Sequence, residues 1–250
     1  MNERSVRRVH MLPQEHNEKK ERIINSSIQL FSKKGYDATT VNEIAVASKV
    51  TKALIYYYFK SKEDILDYLV QSLLTNAKAI TMDFIHVNIV EMINTGNLDI
   101  LPDRLHFSNE EAIRYFLINA HDFYKSVLDY ALKNRATIRI LMHESLKGSK
   151  HQNALFQLMN FAKSSNDNPI VQTITQADND FMYSNDMVSF QFFFFIMPLI
   201  NFVSYYDEYK LLNSLSDEQM QQSYLKSFQI IIDSLVSGKD ILLRNKNYST

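Results

Sequence analysis

The chain is predicted to be all-α, with a small helical unit at its N-terminus followed by a larger one. Three observations predict this. There are only four glycines in 250 residues, and Gly35, Gly96, Gly148 and Gly238 each follow a periodic apolar segment, where a helix C-cap belongs. Pro13, Pro102 and Pro169 lie outside the periodic segments, and no hairpin dipeptide appears. Hydrophobic residues make up 46% of the chain, enough for a sizeable core divided between two units.

Residues 1–16 carry no helical stripe and hold Arg4, Arg7, Arg8 and His10. They read either as a solvated tail or as a basic arm reaching phosphates or a minor groove. Glu18–Lys34 places Ile23, Ile24, Ser27, Leu30 and Phe31 on one face and closes at Gly35-Tyr36. Val41, Ile44, Ala45 and Ser48 form a short second stripe with Thr40 before it. After Ser48-Lys49-Val50, Thr51 is an N-cap for a third helix ending near Phe59. Ser61 caps a fourth, with Asp64 three residues on, and its stripe through Ile65, Leu66, Leu69 and Val70 continues to Ile80 or as far as Ile93.

Residues 94–108 read as a connection. Asn109 caps a helix with Ile113, Phe116, Leu117, Ala120, Phe123, Val127 and Ala131 on its face. A shorter helix around Ile138 and Leu141 ends at Gly148, and Ala154–Ala162 marks another. Residues 164–169 are a polar loop, and the stretch to Asn185 is ambiguous. The last two long helices are predicted over 186–210 and 216–237, the second opened by a Ser216/Gln219 capping box. Pro198 should kink the first and free the carbonyl of Phe194.

Composition excludes several classes. The chain has no cysteine, so disulfides, zinc–thiolate sites and thiol catalysis are out, and a reducing cytoplasm fits. No apolar run follows the early arginines, so no secretory signal is expected. Phe190–Val203 is strongly apolar, but 14 residues interrupted by Gln191 and Asn201 fall short of the roughly 20 a bilayer needs. The expectation is a helix buried in the chain or between subunits, and no membrane. Charge is uneven: residues 1–62 hold twelve Lys and Arg against six Asp and Glu, and the remainder fifteen against twenty-two. A basic end joined to an acidic body suits a protein that meets phosphate at one end.

Thr40–Phe59, TVNEIAVASKVTKALIYYYF, carries the sharpest functional signal. Ile55, Tyr58 and Phe59 point to one side of its second helix, and Lys52, Ala53, Tyr56 and Tyr57 to the other. A cation, a residue too small to obstruct a base edge and two phenols suit a DNA major groove better than solvent. Capping by Thr40 and Thr51 leaves free N–H groups for phosphate. Tyr56, Tyr57 and Lys62 would hold the backbone. Lys52 could meet guanine, and Ala53 and Leu54 thymine methyls.

Residues 17 to about 77, with LFSKKGYDATTVNEIA, VTKALIYYYF and KSKEDIL, resemble the N-terminal domain of TetR-type transcriptional regulators. The resemblance covers about a quarter of the chain. It implies a three-helix helix-turn-helix domain over 17–77, a ligand-sensing and dimerisation domain over 78–250, and DNA contacts at the positions just named. Two residues depart from the family pattern. Lys49 stands where the turn usually has glycine, and Ala53-Leu54 replaces Gly-Thr.

The resemblance further implies a homodimer, joined through the last two helices, that binds a palindromic operator in double-stranded DNA. A small apolar or amphipathic effector bound among the later helices would release it; Phe116, Phe123, Tyr124, Met142, Phe156, Met159, Phe192 and Phe195 are suitable material for an apolar pocket, and no ligand residue is assigned. A DNA-bound adaptor whose helical domain recruits a protein is the alternative. No cofactor is expected. His121-Asp122 and His143-Glu144 are adjacent pairs without i, i+4 metal spacing, and no catalytic motif appears, so neither metal nor enzyme is expected.

Overall fold

A computed structural model describes residues 13–101, 104–147, 165, 167–181 and 185–237. Their contacts divide the chain into two compact units, 1–71 and 72–250.

The first unit contains α1 (Pro13–Lys34), α2 (Val41–Ser48), α3 (Lys52–Tyr58) and the start of α4 (Lys62–Phe84). Helix α1 begins at Pro13, earlier than the apolar stripe predicts. Pro13 at the first helical position needs no N–H partner. Gly35 ends α1 at φ +89°, a conformation that favours glycine. The core is Ile23, Phe31, Ile44, Ile55, Ile65 and Leu66, all but closed to solvent.

In the second unit the fourth helical run reaches Asn94, the far limit of its stripe, but through a π turn (Ile85–Val90) leading into α5 (Glu91–Asn94). Gly96, at φ +70°, closes it with Asn97 N–H on Met92 O (2.8 Å) and its own N–H on Ile93 O (3.0 Å). The all-α reading holds, and the 94–108 connection between its helices is not wholly irregular. It holds an antiparallel hairpin, β1 (Leu98–Leu101) against β2 (Arg104–Phe107), with Leu98 opposite Phe107. Strands of four residues are too short to show a period, and the residues between them, Pro102 and Asp103, are types common in turns.

Helix α6 (Glu110–Lys133) is capped by Asn109, whose side chain accepts from Ala112 N–H at 2.9 Å. Then come α7 (Arg135–Ser145) and α8 (Pro169–Ala177), the latter capped by Asn168 across the expected loop. Gly148, Gly238 and the 154–162 stripe lie outside the described residues.

The expected helix over 186–210 is instead three helices and a π turn. They are α9 (Asn185–Gln191), the turn Phe192–Ile196, α10 (Met197–Ser204) and, after a break at Tyr205, α11 (Tyr206–Asn213). Pro198 cannot donate to Phe194, and the ladder widens just before it, with Met197 N–H reaching Phe192 O, five residues back. The Tyr124 hydroxyl donates to Phe195 O (3.4 Å) in this turn and pairs with the Tyr224 hydroxyl at 3.1 Å. The continuous helical run Asn185–Ser204 is 20 residues long and contains the whole apolar stretch 190–203. By length and composition it could cross a bilayer. Yet Phe192, Ile200, Val203 and Ser204 are buried in the chain, and Phe193 (63%) and Phe194 (53%) are exposed.

Helix α12 (Asp217–Ser237) opens with the expected capping box, Gln219 N–H on Ser216 Oγ (3.1 Å) and Ser216 N–H on Gln219 Oε1 (2.9 Å). Its Phe228 stacks on Tyr124 and its Tyr224 on Phe202, tying α12 to α6 and α10.

Candidate nucleic-acid interface

Each turn of the α2–α3 segment is fixed by a local device. Thr40 and Glu43 form a complete capping box: Glu43 N–H donates to Thr40 Oγ1 (3.3 Å) and Thr40 N–H to Glu43 Oε2 (2.8 Å). Lys34 ion-pairs with the same carboxylate. The Lys34 ammonium, then the Thr40 N–H and hydroxyl, hold Glu43 down at about 2. Ser48 buries its hydroxyl on Ile44 O at 2.5 Å.

Lys49 adopts the left-handed conformation, φ 55° and ψ 42°. Val50 N–H reaches Ala45 O (3.0 Å) and Lys49 N–H reaches Val46 O (3.2 Å). This closing motif normally takes glycine, and a lysine there costs about 1 kcal/mol. Thr51 then accepts from Leu54 N–H at 3.2 Å and starts α3.

On α3, Ile55 is fully buried, Phe59 just past its end nearly so, and Tyr58 half-buried. Lys52 and Ala53 are exposed, Tyr56 and Tyr57 are 48% and 69% exposed, and Leu54 is half-buried. The outward face therefore consists of the four residues that the spacing assigns to it. Lys52 Nζ lies 5.8 Å from the centre of the Tyr56 ring.

Lys62 is placed differently from the expectation. Its ammonium donates to Tyr36 O (2.7 Å), Thr39 O (2.9 Å) and Asp37 O (3.3 Å), and sits 4.2 Å from the Tyr36 ring centre. Through these bonds Lys62 staples the α1–α2 turn to the start of α4. Sequence spacing could not show this, because the carbonyls lie more than twenty residues away.

His16 was not among the expected residues. Its ring meets Tyr57 edge-on at 5.8 Å and Tyr58 at 4.6 Å, while the Tyr58 hydroxyl donates to His16 O at 2.9 Å. The first turns of α1 thus brace the outward tyrosine.

Two short helices joined by a tight left-handed turn, the second presenting a polar face outward, make a helix-turn-helix unit. Residues 23–69 match the family described as bacterial regulatory proteins, tetR family. Over these residues the chain is similar to that family, and the match is confined to this unit. Over 50 residues it is 58% identical to YerO of Bacillus subtilis, an uncharacterized helix-turn-helix transcriptional regulator, covering 20% of this chain and 17% of that protein. Over 52 residues it is 46% identical to IcaR of Staphylococcus aureus, a negative transcriptional regulator of the biofilm operon icaADBC, covering 21% and 28%. The chain thus aligns with under a third of the length of either relative. A solved structure of a candidate fatty acid metabolism regulator from Clostridium perfringens shares the fold, with a TM-score of 0.53 at 18% identity, over 87% of this chain and all of that one.

Proposed function

We propose that the protein is a DNA-binding transcriptional regulator, a homodimeric repressor that holds a palindromic operator and releases it when a small apolar or amphipathic effector binds. The observation that carries the reading is the outward face of α3, with Lys52, Ala53, Tyr56 and Tyr57 presented beside half-buried Leu54. With their hydroxyls engaged as caps, Thr40 and Thr51 leave the N–H groups of Val41, Asn42, Lys52 and Ala53 without intrahelical partners, available to phosphate. Tyr56 and Tyr57 donate to phosphate, and Lys52, Ala53 and Leu54 read bases. Lys62 acts indirectly, by fixing the turn that orients α2.

One α3 spans only a few base pairs, so the reading needs two copies. The exposed phenylalanines of the 185–204 run, with exposed Ile230 on α12, give the apolar face a second copy would cover. Repression is supported by the printed role of the IcaR relative, and effector release by the aromatic and methionine content of the larger unit. DNase footprinting over the DNA upstream of this protein's own gene tests the proposal. A protected two-fold repeat is expected, and no protection even at low ionic strength would refute it.

A further inference from the structure

Along the first π turn the buried stripe is Ile85, Asn88, Ile89 and Met92, at the i, i+3, i+4, i+7 spacing of a core-facing surface. Three of the four are apolar, as the spacing requires. The fourth is an amide, 6% exposed, whose Oδ1 has no hydrogen-bond partner among the described residues. Helix formation does not ask for asparagine there, since leucine or methionine would serve both the stripe and the helix better. The backbone departs from regularity at the same place, and π turns set within α-helices recur at functional sites. Two departures from an ordinary core coincide on one residue.

We propose that Asn88 is the polar anchor of the effector site, and that the effector is an uncharged, largely apolar molecule carrying a hydrogen-bond donor such as a hydroxyl. The inference rests on the proposed effector response and specifies its chemistry. The unpaired atom is an acceptor, so the guest must bring the donor. Ile85, Ile89 and Met92 belong to an apolar cluster that includes Leu98, Phe116, Ile174 and Phe181. An ion entering among them would lose its water. Phe84 and Met82 pack against this cluster, and Phe84 stacks on Phe123 at 4.4 Å. Methionine and aromatic side chains of this kind adjust to admit a guest. A single polar group in an apolar site fixes orientation and selects against analogues that cannot satisfy it.

The test uses the full chain and three probes of matched length: 1-decanol, its isostere nonyl methyl ether, and sodium decanoate. Calorimetric titration of the unsubstituted protein should give about tenfold tighter binding of decanol than of the ether, the worth of one hydrogen bond. Decanoate should bind more weakly than decanol. Asn88→Leu should bind decanol and the ether equally and unfold at a higher temperature, because it removes a buried carbonyl oxygen without a partner. Equal affinities in the unsubstituted protein, binding of none of the three, tightest binding of decanoate, or a decanol preference that survives Asn88→Leu would each overturn the proposal. A core asparagine that merely holds a water would change the unfolding temperature without creating a decanol preference. Binding to duplexes selected from a random pool is measured alongside. Loss of all duplex binding would refute the regulatory reading, while the decanol-to-ether ratio would still decide the role of Asn88.

Discussion

Lys49 tests how the turn between α2 and α3 is held. Its left-handed backbone suits glycine, so Lys49→Gly should stabilise the protein by up to about 1 kcal/mol, seen as a higher unfolding temperature. No gain would mean that the lysine side chain stabilises the turn by a compensating amount. On the outward face, Tyr57→Phe should weaken binding to every duplex alike, since it removes a phosphate donor. Lys52→Ala should also relax preference at one base pair, by about 1–3 kcal/mol of discrimination. Equal losses on operator and random DNA for both variants would sink this division of labour. Glu43 adds a pH dependence. Its folded value of about 2 lies below its ordinary 4.5, so its contribution is present above pH 4.5 and fades as the pH falls towards 2. In urea titrations across that window, the stability difference between the unsubstituted protein and Glu43→Gln should shrink. A constant difference would show that the ion pair with Lys34 adds nothing.

Among the elements, one irregular helical segment is braced by two phenols. The π turn at Phe192–Ile196 presents a carbonyl to Tyr124, whose hydroxyl pairs with that of Tyr224. Burial, first, raises both phenols, and Tyr224 is pushed up to about 12. Because the folded value lies above the ordinary 10, the stabilisation is whole below pH 10 and is lost as the pH rises from 10 to about 12. Stability should therefore fall between pH 10 and 12 in the unsubstituted protein, and fall less steeply in Tyr224→Phe. Identical slopes would mean that Tyr224 ionises freely in the folded state. The neighbouring turn from α11 to α12 is local in origin. Ser214 takes the left-handed conformation at φ 53°, and Tyr206 donates to Asp217 at 2.9 Å. Asp217, held down by Lys210, also receives the Lys210 ammonium at 2.8 Å.

For the whole molecule, the proposed dimer leads to a direct measurement. Replacing both Phe193 and Phe194 by glutamate should place unpaired charges in the interface and weaken self-association by about 100-fold or more. Sedimentation should then show monomers at concentrations where the unsubstituted protein is dimeric, with operator affinity lost in parallel. A double variant that still dimerises would move the interface elsewhere.

Local chemistry made much of this protein legible from its sequence. The helix-turn-helix unit was readable because its signals are short-range: caps at Thr40 and Thr51, an apolar stripe through Ile44 and Ile55, and an outward set at Lys52, Ala53, Tyr56 and Tyr57. The Ser216/Gln219 box and the Asn109 cap were readable for the same reason. Other features depend on partners distant in the chain, and only the tertiary structure decided them. Lys62 proved to be a staple because carbonyls from the α1–α2 turn converge on it. His16 braces Tyr57 because α1 returns to α3, and the π turns and the hairpin at 98–107 arise where packing outweighs local periodicity. A side chain's direction follows from helical spacing, but what it meets there is set by how the elements fold together.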